Sequence, residues 1–149
     1  MVTISKDGSC RFNASNVAAT VTGYVDIKPG DEEDLKAAVA TAGPVAVAMD
    51  AGNISFQLYS KGDQLIPVWL FIHLINIFFC QGIYNEPRCR EDNVNHSALV
   101  VGYGTEDGVD YWLVKNSWGT SWGDAGYIKM ARNLDNQCGI ATEASYSLV

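Results

Sequence analysis

The sequence predicts one domain of the α+β class, in which a largely antiparallel sheet is accompanied by one short helix. Three observations support this prediction. A segment at 32–42 has signals for a helix start and a helix stop, a short apolar run follows it, and three later segments are rich in β-branched and aromatic residues. A chain of 149 residues with 48% hydrophobic residues is long enough to bury one core.

The helix predicted at 32–42 has its signals at both ends. Asp31 can accept hydrogen bonds from the first backbone N–H groups, and the acidic first turn suits the positive end of the helix dipole. Gly43-Pro44 then stops the helix. The residues expected on its buried face are Leu35, Ala38, Val39 and Ala42.

The strands are predicted from residue type. Val45–Ala48 is short and apolar, which is typical of a buried strand. Later segments combine β-branched and aromatic residues between glycine-bearing turns, so the second half of the chain is expected to be mostly antiparallel sheet. These segments are Ala98–Gly104, Tyr111–Lys115 and Tyr127–Ala131.

Charge and cysteine content exclude several classes of function. The chain has 17 acidic and 10 basic residues, and no lysine/arginine cluster that could follow phosphates. We therefore expect no nucleic-acid partner. The four cysteines form no Cys-x-x-Cys pair and are joined by only two histidines, which favours disulfides over a metal site. No metal and no cofactor are expected.

The segment 65–80 is far more apolar than the rest of the sequence. It is shorter than the roughly 20 residues that a membrane-spanning helix needs, and Pro67, His73 and Asn76 interrupt it. A membrane anchor is therefore the less favoured interpretation. It stays open, because a buried helix or strand would have to hide a run that is apolar on every face.

Three segments fit the Asn-x-Ser/Thr pattern for N-linked glycosylation, with Asn13, Asn53 and Asn95 as acceptors. The pattern matters only in a chain that enters the secretory pathway. Residues 1–11 are polar and lack an apolar core with a small-residue cleavage site, so no signal peptide is expected in this chain.

Two blocks carry residues suited to thiol chemistry, since His96 precedes one predicted strand and Asn116 follows the next. A cysteine protease needs an imidazole that takes the thiol proton, and a side-chain carbonyl that orients the ring. His96 and Asn116 can fill these roles if neighbouring strands bring them together. Trp118 would lie on the same side of an extended segment as Asn116 and could keep water from their hydrogen bond.

These blocks resemble the histidine and asparagine motifs of papain-like cysteine proteases, the first at 95–104 (NHSALVVGYG) and the second at 115–119 (KNSWG). The ending at 138–141 (CGIA) is similar to the last disulfide region of that family. The resemblance is closest to cathepsin L-like members. It implies the β-rich, antiparallel barrel-like right-hand domain of the papain-like fold. The helical left-hand domain would be missing, so residues 1–149 are expected to be a partial peptidase domain, the C-terminal half.

The resemblance implies a cysteine-type endopeptidase and assigns roles in it. His96 would be the general base and imidazolium partner, Asn116 its orienting group, and Trp118 the shield over both. The implied partners are polypeptide substrates, cystatin-like inhibitors and the missing N-terminal half. The implied location is lysosomal or extracellular.

The same resemblance assigns binding and disulfide positions. Ala48, Val94 and Ser97 match residues that line the pocket for the substrate's second side chain. The small side chains at 48 and 97 suggest that this pocket accepts bulky apolar or aromatic groups. Cys89 and Cys138 match a disulfide pair of the family.

The family's nucleophile lies in a Cys-Gly-Ser-Cys-Trp type of motif, with the histidine roughly 130 to 150 residues downstream. That distance from His96 runs past residue 1. Gly8-Ser9-Cys10 imitates part of the motif, but Arg11 stands where the aromatic residue would be. We therefore expect Cys10 not to be the nucleophile and the chain alone to be inactive. A non-catalytic pseudo-protease, or a module that binds inhibitors or peptides, is the alternative.

Resemblance to the family is continuous on both sides of residues 63–82, which are therefore expected to be an insertion. We interpret them as a translated intron, because the phenylalanine-rich end at 77–81 is what a pyrimidine tract and a splice acceptor would encode. Spliced transcripts that retain these codons at normal abundance would count against this interpretation.

Overall fold

The computed structural model of the protein describes residues 8–10, 12–60 and 82–149. The apolar segment at 65–80, and the expected insertion apart from Gly82, lie outside these ranges. In the described ranges, seven strands form one sheet, accompanied by two α-helices and two short 3-10 helices. The strands are β1 (Gly23–Asp26), β2 (Val45–Met49), β3 (Ile83–Tyr84), β4 (His96–Glu106), β5 (Val109–Lys115), β6 (Tyr127–Ala131) and β7 (Glu143–Leu148), and the α-helices are α1 (Glu32–Thr41) and α2 (Ile54–Gln57).

The strands lie in the order β1-β7-β2-β4-β5-β6-β3. Neighbouring strands pair antiparallel except β3 and β6, which run parallel. The predicted α+β class with a largely antiparallel sheet is thus confirmed. The long hairpin of β4 and β5 occupies the middle of the sheet. Its turn residues, Asp107 and Gly108, have φ angles of 51° and 80°, as the favoured two-residue hairpin turn requires.

Helix α1 begins and ends close to the predicted limits. The Asp31 side chain accepts hydrogen bonds from the backbone N–H groups of Glu33 and Asp34, at 3.2 and 3.1 Å. At the other end, Gly43 adopts a φ of 96°, which a side chain would disfavour. No helix in the described ranges combines the length and the apolar character needed to cross a membrane.

The limits of some strands agree with the limits predicted from residue type. Others differ, because pairing with a neighbouring strand sets where the strand begins or ends. β6 has the predicted limits, and β2 extends one position further, to Met49. β4 begins at His96 rather than Ala98, because Met49 pairs with His96 across the sheet. β1, β3, β7 and α2 were not predicted from the sequence. β1 and β7 pair with each other at one edge, so each depends on a partner that is distant in sequence.

The core joins α1 and α2 to the sheet. Leu35 of α1, Phe56 of α2 and Trp112 of β5 are fully buried. The indole Nε1–H of Trp112 donates to Oε2 of Glu32 at 2.9 Å. This bond fixes the start of α1 against the middle of the sheet and satisfies the only polar atom of a buried tryptophan side chain.

A second polar link holds α2 against the segment that follows β3. Glu86 is 6% exposed. Its carboxylate accepts hydrogen bonds from Arg88 Nε at 2.9 Å, from Arg88 Nη2 at 3.0 Å and from Ser55 Oγ of α2 at 2.6 Å. The hydrogen bonds from Arg88, opposed by burial, lower the pKa of Glu86 to about 2.

Replacing Glu86 with glutamine is expected to lower the free energy of unfolding by about 1–3 kcal/mol at neutral pH, because the Arg88 guanidinium loses its ionic partner. Since the pKa of Glu86 is lower in the folded chain than its ordinary value of 4.5, this stabilisation is present above that value and is lost as the pH falls towards 2. Urea unfolding of both proteins at several pH values tests this. If the difference in unfolding free energy between the unmodified chain and Glu86→Gln did not shrink as the pH falls, the prediction would be wrong. The matched control is Glu33→Gln, whose side chain is exposed and for which a smaller change at neutral pH is expected.

Candidate active site

The β4–β5 hairpin brings His96 and Asn116 to the same end of the sheet. His96 is the first residue of β4, and Asn116 follows Lys115, the last residue of β5. Because the strands are antiparallel, with Leu99 opposite Lys115, the start of one lies beside the end of the other. The backbone N–H of Asn116 donates to the carbonyl of Gly126 at 2.9 Å, which anchors this position after the strand has ended.

The side chains of His96 and Asn116 are hydrogen-bonded. Nε2 of His96 lies 2.9 Å from Oδ1 of Asn116, and the backbone N–H of Ser117 donates to the same oxygen at 2.7 Å. A backbone N–H can only donate, so the amide atom shared by both contacts is the carbonyl oxygen. Nε2 must then carry a hydrogen, and Nδ1 is the nitrogen that can accept a proton in the neutral ring. Asn116 therefore selects the tautomer of a general base.

Aromatic rings pack against the imidazole of His96. The ring centroids of Trp118 and Phe56 lie 5.0 and 6.2 Å from that of His96. Trp122 packs against both, at 5.3 Å from Trp118 and 5.1 Å from Phe56. Trp118 is 41% exposed, whereas Asn116 is 7% exposed. The His–Asn hydrogen bond thus has a buried acceptor beside aromatic rings, where a low local dielectric strengthens it. Sequence reasoning missed Phe56, which comes from α2.

A buried carboxylate fastens the residue before His96. Asp50 is 3% exposed. Its Oδ1 accepts hydrogen bonds from the Gly52 N–H at 3.0 Å and from Asn95 Nδ2 at 2.9 Å, and its Oδ2 accepts one from the Arg90 N–H at 3.1 Å. The end of β2, the loop at Arg90 and the start of β4 therefore share one anchor. Asp50 was not among the predicted site residues, because two of its partners lie 40 and 45 residues away in the sequence.

A cavity of about 650 Å³ opens beside β2, β4 and β7. Ala48 and Ser97, two of the expected substrate-binding residues, face each other across the β2–β4 ladder and line this cavity. The third, Val94, is half-buried and is not part of the lining. Asp26 and Glu143 also line the cavity and place acidic groups beside its small apolar residues. These two carboxylates were not predicted, because β1 and β7 were not.

Cys89 and Cys138 form a disulfide, which confirms the pairing that the family resemblance implied. The bond ties the loop before β4 to the short 3-10 helix Gln137–Gly139. Cys10 is exposed and is not part of a disulfide.

The chemistry available at this site is proton transfer at an oriented imidazole. Across the described ranges, the hydrogen bonds and ring contacts of His96 involve Asn116, Phe56 and Trp118. The same ranges contain no group of three or more residues that could hold a metal ion.

Comparison with known proteins agrees with this geometry. Residues 3–148 match the sequence model of the papain family of cysteine proteases. The chain is 58% identical to cathepsin L of Sarcophaga peregrina and 55% identical to a cathepsin L-like peptidase of Aedes aegypti, over 96% of the chain and 37% of each relative. The chain therefore spans little more than a third of the length of these relatives.

Solved structures show the same fold. Digestive procathepsin L 3 from the larval midgut of Tenebrio molitor is similar over 97% of this chain and 40% of its own, with a TM-score of 0.80 and 41% identity. The bromelain protease of Ananas comosus, solved in complex with the E64 inhibitor, is similar over 95% of this chain and 57% of its own, with a TM-score of 0.75 and 35% identity. The sequence match and the common fold together show that this chain belongs to the papain family of cysteine proteases.

Proposed function

We propose that this chain supplies the imidazole part of the active site of a cathepsin L-like cysteine endopeptidase. The observation that carries the proposal is the hydrogen bond from His96 Nε2 to Asn116 Oδ1, together with the Ser117 N–H that identifies this oxygen as the acceptor. It leaves Nδ1 as the basic nitrogen, which is the arrangement that thiol activation requires.

In the proposed mechanism, Nδ1 of His96 takes the proton of a cysteine thiol and forms an imidazolium–thiolate pair. The thiolate attacks the peptide carbonyl, and Nδ1–H returns the proton to the leaving amine, which leaves an acyl-enzyme that water hydrolyses. Throughout this cycle Asn116 Oδ1 accepts a hydrogen bond from the Nε2–H group of His96. The ring therefore keeps its orientation while its charge changes.

We further propose that the thiol comes from a segment outside these 149 residues. Cys89 and Cys138 are joined in a disulfide, and Cys10 is exposed. Cys80 lies outside the described ranges. Support also comes from the relatives, since the chain matches only 37% of their length and most of each relative therefore has no counterpart here.

The substrates we propose are polypeptides, one side chain of which enters the cavity that Ala48 and Ser97 line. Small residues on its wall leave room for a bulky apolar group, and the carboxylates of Asp26 and Glu143 would favour a basic group at its rim. We propose a lysosomal or extracellular location, which the Cys89–Cys138 disulfide supports because such bonds persist in oxidising compartments.

An affinity-labelling experiment tests the position of the nucleophile. The purified 149-residue chain, treated with an epoxide inhibitor of the E64 type, is expected to remain unlabelled and to show no turnover of fluorogenic peptides. The full-length enzyme that contains this chain is the positive control, and it should take up one equivalent at a cysteine outside residues 1–149. Inhibitor-sensitive turnover by the chain alone, with the label on Cys10 or Cys80, would contradict the proposal.

A further inference from the structure

The three Asn-x-Ser/Thr segments of this chain lie in different surroundings. An acceptor asparagine must offer its side-chain nitrogen to the donor sugar, and the folded chain must then accommodate a large hydrophilic glycan. Contacts of the asparagine and of the hydroxyl residue two positions later therefore distinguish the three sites.

Asn95 is an exposed residue, but both atoms of its side-chain amide are hydrogen-bonded beside His96. Its Nδ2 donates to Asp50 Oδ1 at 2.9 Å, and its Oδ1 accepts from the Ala51 N–H at 3.0 Å. A sugar on this nitrogen would have to lie against a carboxylate that is 3% exposed. A glycan at Asn95 would therefore lie against the hydrogen bonds that hold the start of β4.

Asn53 is the residue immediately before α2 and is half-buried. The hydroxyl of its partner Ser55 donates to Glu86 Oε2 at 2.6 Å, so it points into the link between α2 and the segment after β3. The backbone carbonyl of Asn53 also accepts the Phe56 N–H at 3.0 Å. In this conformation the hydroxyl of Ser55 is turned away from the Asn53 side chain, towards a buried carboxylate.

Asn13 has the opposite arrangement. It is exposed, as are the neighbouring residues from Phe12 to Ser15. Its Oδ1 accepts both the backbone N–H of Ser15 at 3.0 Å and the Ser15 hydroxyl at 2.9 Å. Both bonds use the oxygen, so Nδ2 stays directed away from them and has no hydrogen-bond partner in the part of the chain that the structure describes.

We propose that Asn13 is the N-glycosylation site of this chain and that Asn53 and Asn95 are not modified in the folded protein. The inference rests on the lysosomal or extracellular location proposed above. In the transfer, Nδ2 of Asn13 bonds to the anomeric carbon of a lipid-pyrophosphate-linked oligosaccharide. The bond from that carbon to the pyrophosphate oxygen breaks, the lipid pyrophosphate leaves, and one amide proton is released to it.

Expression of the chain behind a secretion signal in insect cells tests the inference, with analysis restricted to material that contains the Cys89–Cys138 disulfide. One glycan is expected, removed by a peptide N-glycosidase that converts the acceptor asparagine to aspartate and so marks its position by mass. Asn13→Gln and Ser15→Ala should each abolish the glycan, whereas Ser15→Thr should retain it and guards against loss through misfolding.

Asn53→Gln and Asn95→Gln are the matched controls, and both should leave the glycan unchanged. An unmodified Asn13 in this material, or a glycan on Asn53 or Asn95, would overturn the inference. Because the readout is a mass and not turnover, the glycan result is independent of whether the chain supplies part of a protease site.

Discussion

Replacing His96 with alanine is expected to reduce kcat/KM of the full-length enzyme that contains this chain by about 10³-fold or more, because the residue proposed as general base and then general acid is removed. Peptide hydrolysis is the measurement. A thermal unfolding curve first shows that the variant is folded at the assay temperature. Retention of activity within about tenfold of the unmodified enzyme would refute the role of His96.

Asn116→Ala provides a graded comparison for the same test. It removes the acceptor for Nε2–H but leaves the imidazole in place, so a loss of about 10- to 100-fold is expected, corresponding to about 1.5–3 kcal/mol for one hydrogen bond to a charged group. A larger effect at Asn116 than at His96 would contradict the proposed roles, since an orienting group acts only through the base that it orients.

Replacing Asp50 with alanine is expected to give the second large effect, a loss of about 3 kcal/mol or more in the free energy of unfolding. The substitution removes the charged acceptor of three hydrogen bonds, donated by Gly52, Arg90 and Asn95, and a hydrogen bond to a charged group contributes about 1.5–3 kcal/mol. Since Asn95 precedes His96, the peptidase activity of the full-length enzyme that carries this substitution should fall together with its stability. Urea unfolding and hydrolysis assays on the same variant measure both.

The effect of Asp50 should also depend on pH. Burial by itself would raise the pKa of Asp50, but hydrogen bonds from Gly52, Arg90 and Asn95 together leave it below the ordinary value of 3.8. A carboxyl group with a lowered pKa stabilises the fold above its ordinary pKa and loses that contribution as the pH falls. The difference between the unmodified chain and Asp50→Ala should therefore shrink below about pH 4.

Asp92→Asn is the matched control for Asp50→Ala. Asp92 also pairs with Arg90, through its side chain, but both partners are largely exposed, and exposed ion pairs contribute little to stability. No measurable change is expected. If the two variants behaved alike, Asp50 would not be an anchor of the site.

The sequence predicted correctly those features that depend on residues close together in the chain. Helix α1 follows from Asp31 as the cap, from the acidic first turn and from Gly43-Pro44 as the stop, all within two turns of the helix ends. β2 follows from a short apolar run, and β5 and β6 follow from runs of β-branched and aromatic residues. The family resemblance follows from two short blocks around His96 and Asn116, whose residue types and order are distinctive in themselves.

The strands and side chains that the sequence did not predict depend on pairing across the sheet. β1 and β7 have no strong pattern of their own and become strands because each supplies hydrogen bonds to the other. The acidic rim of the cavity, formed by Asp26 and Glu143, exists only once these strands lie beside β2.

The tertiary structure also decided how the two catalytic candidates are supported. The sequence identifies His96 and Asn116, but it does not show that Asp50 fixes the start of β4 or that Phe56 packs against the imidazole. The physical reason is that the effect of a carboxylate or an aromatic ring depends on burial and on the partners that reach it. Both are set by chain segments some 40 residues away, which only the folded sheet brings into contact.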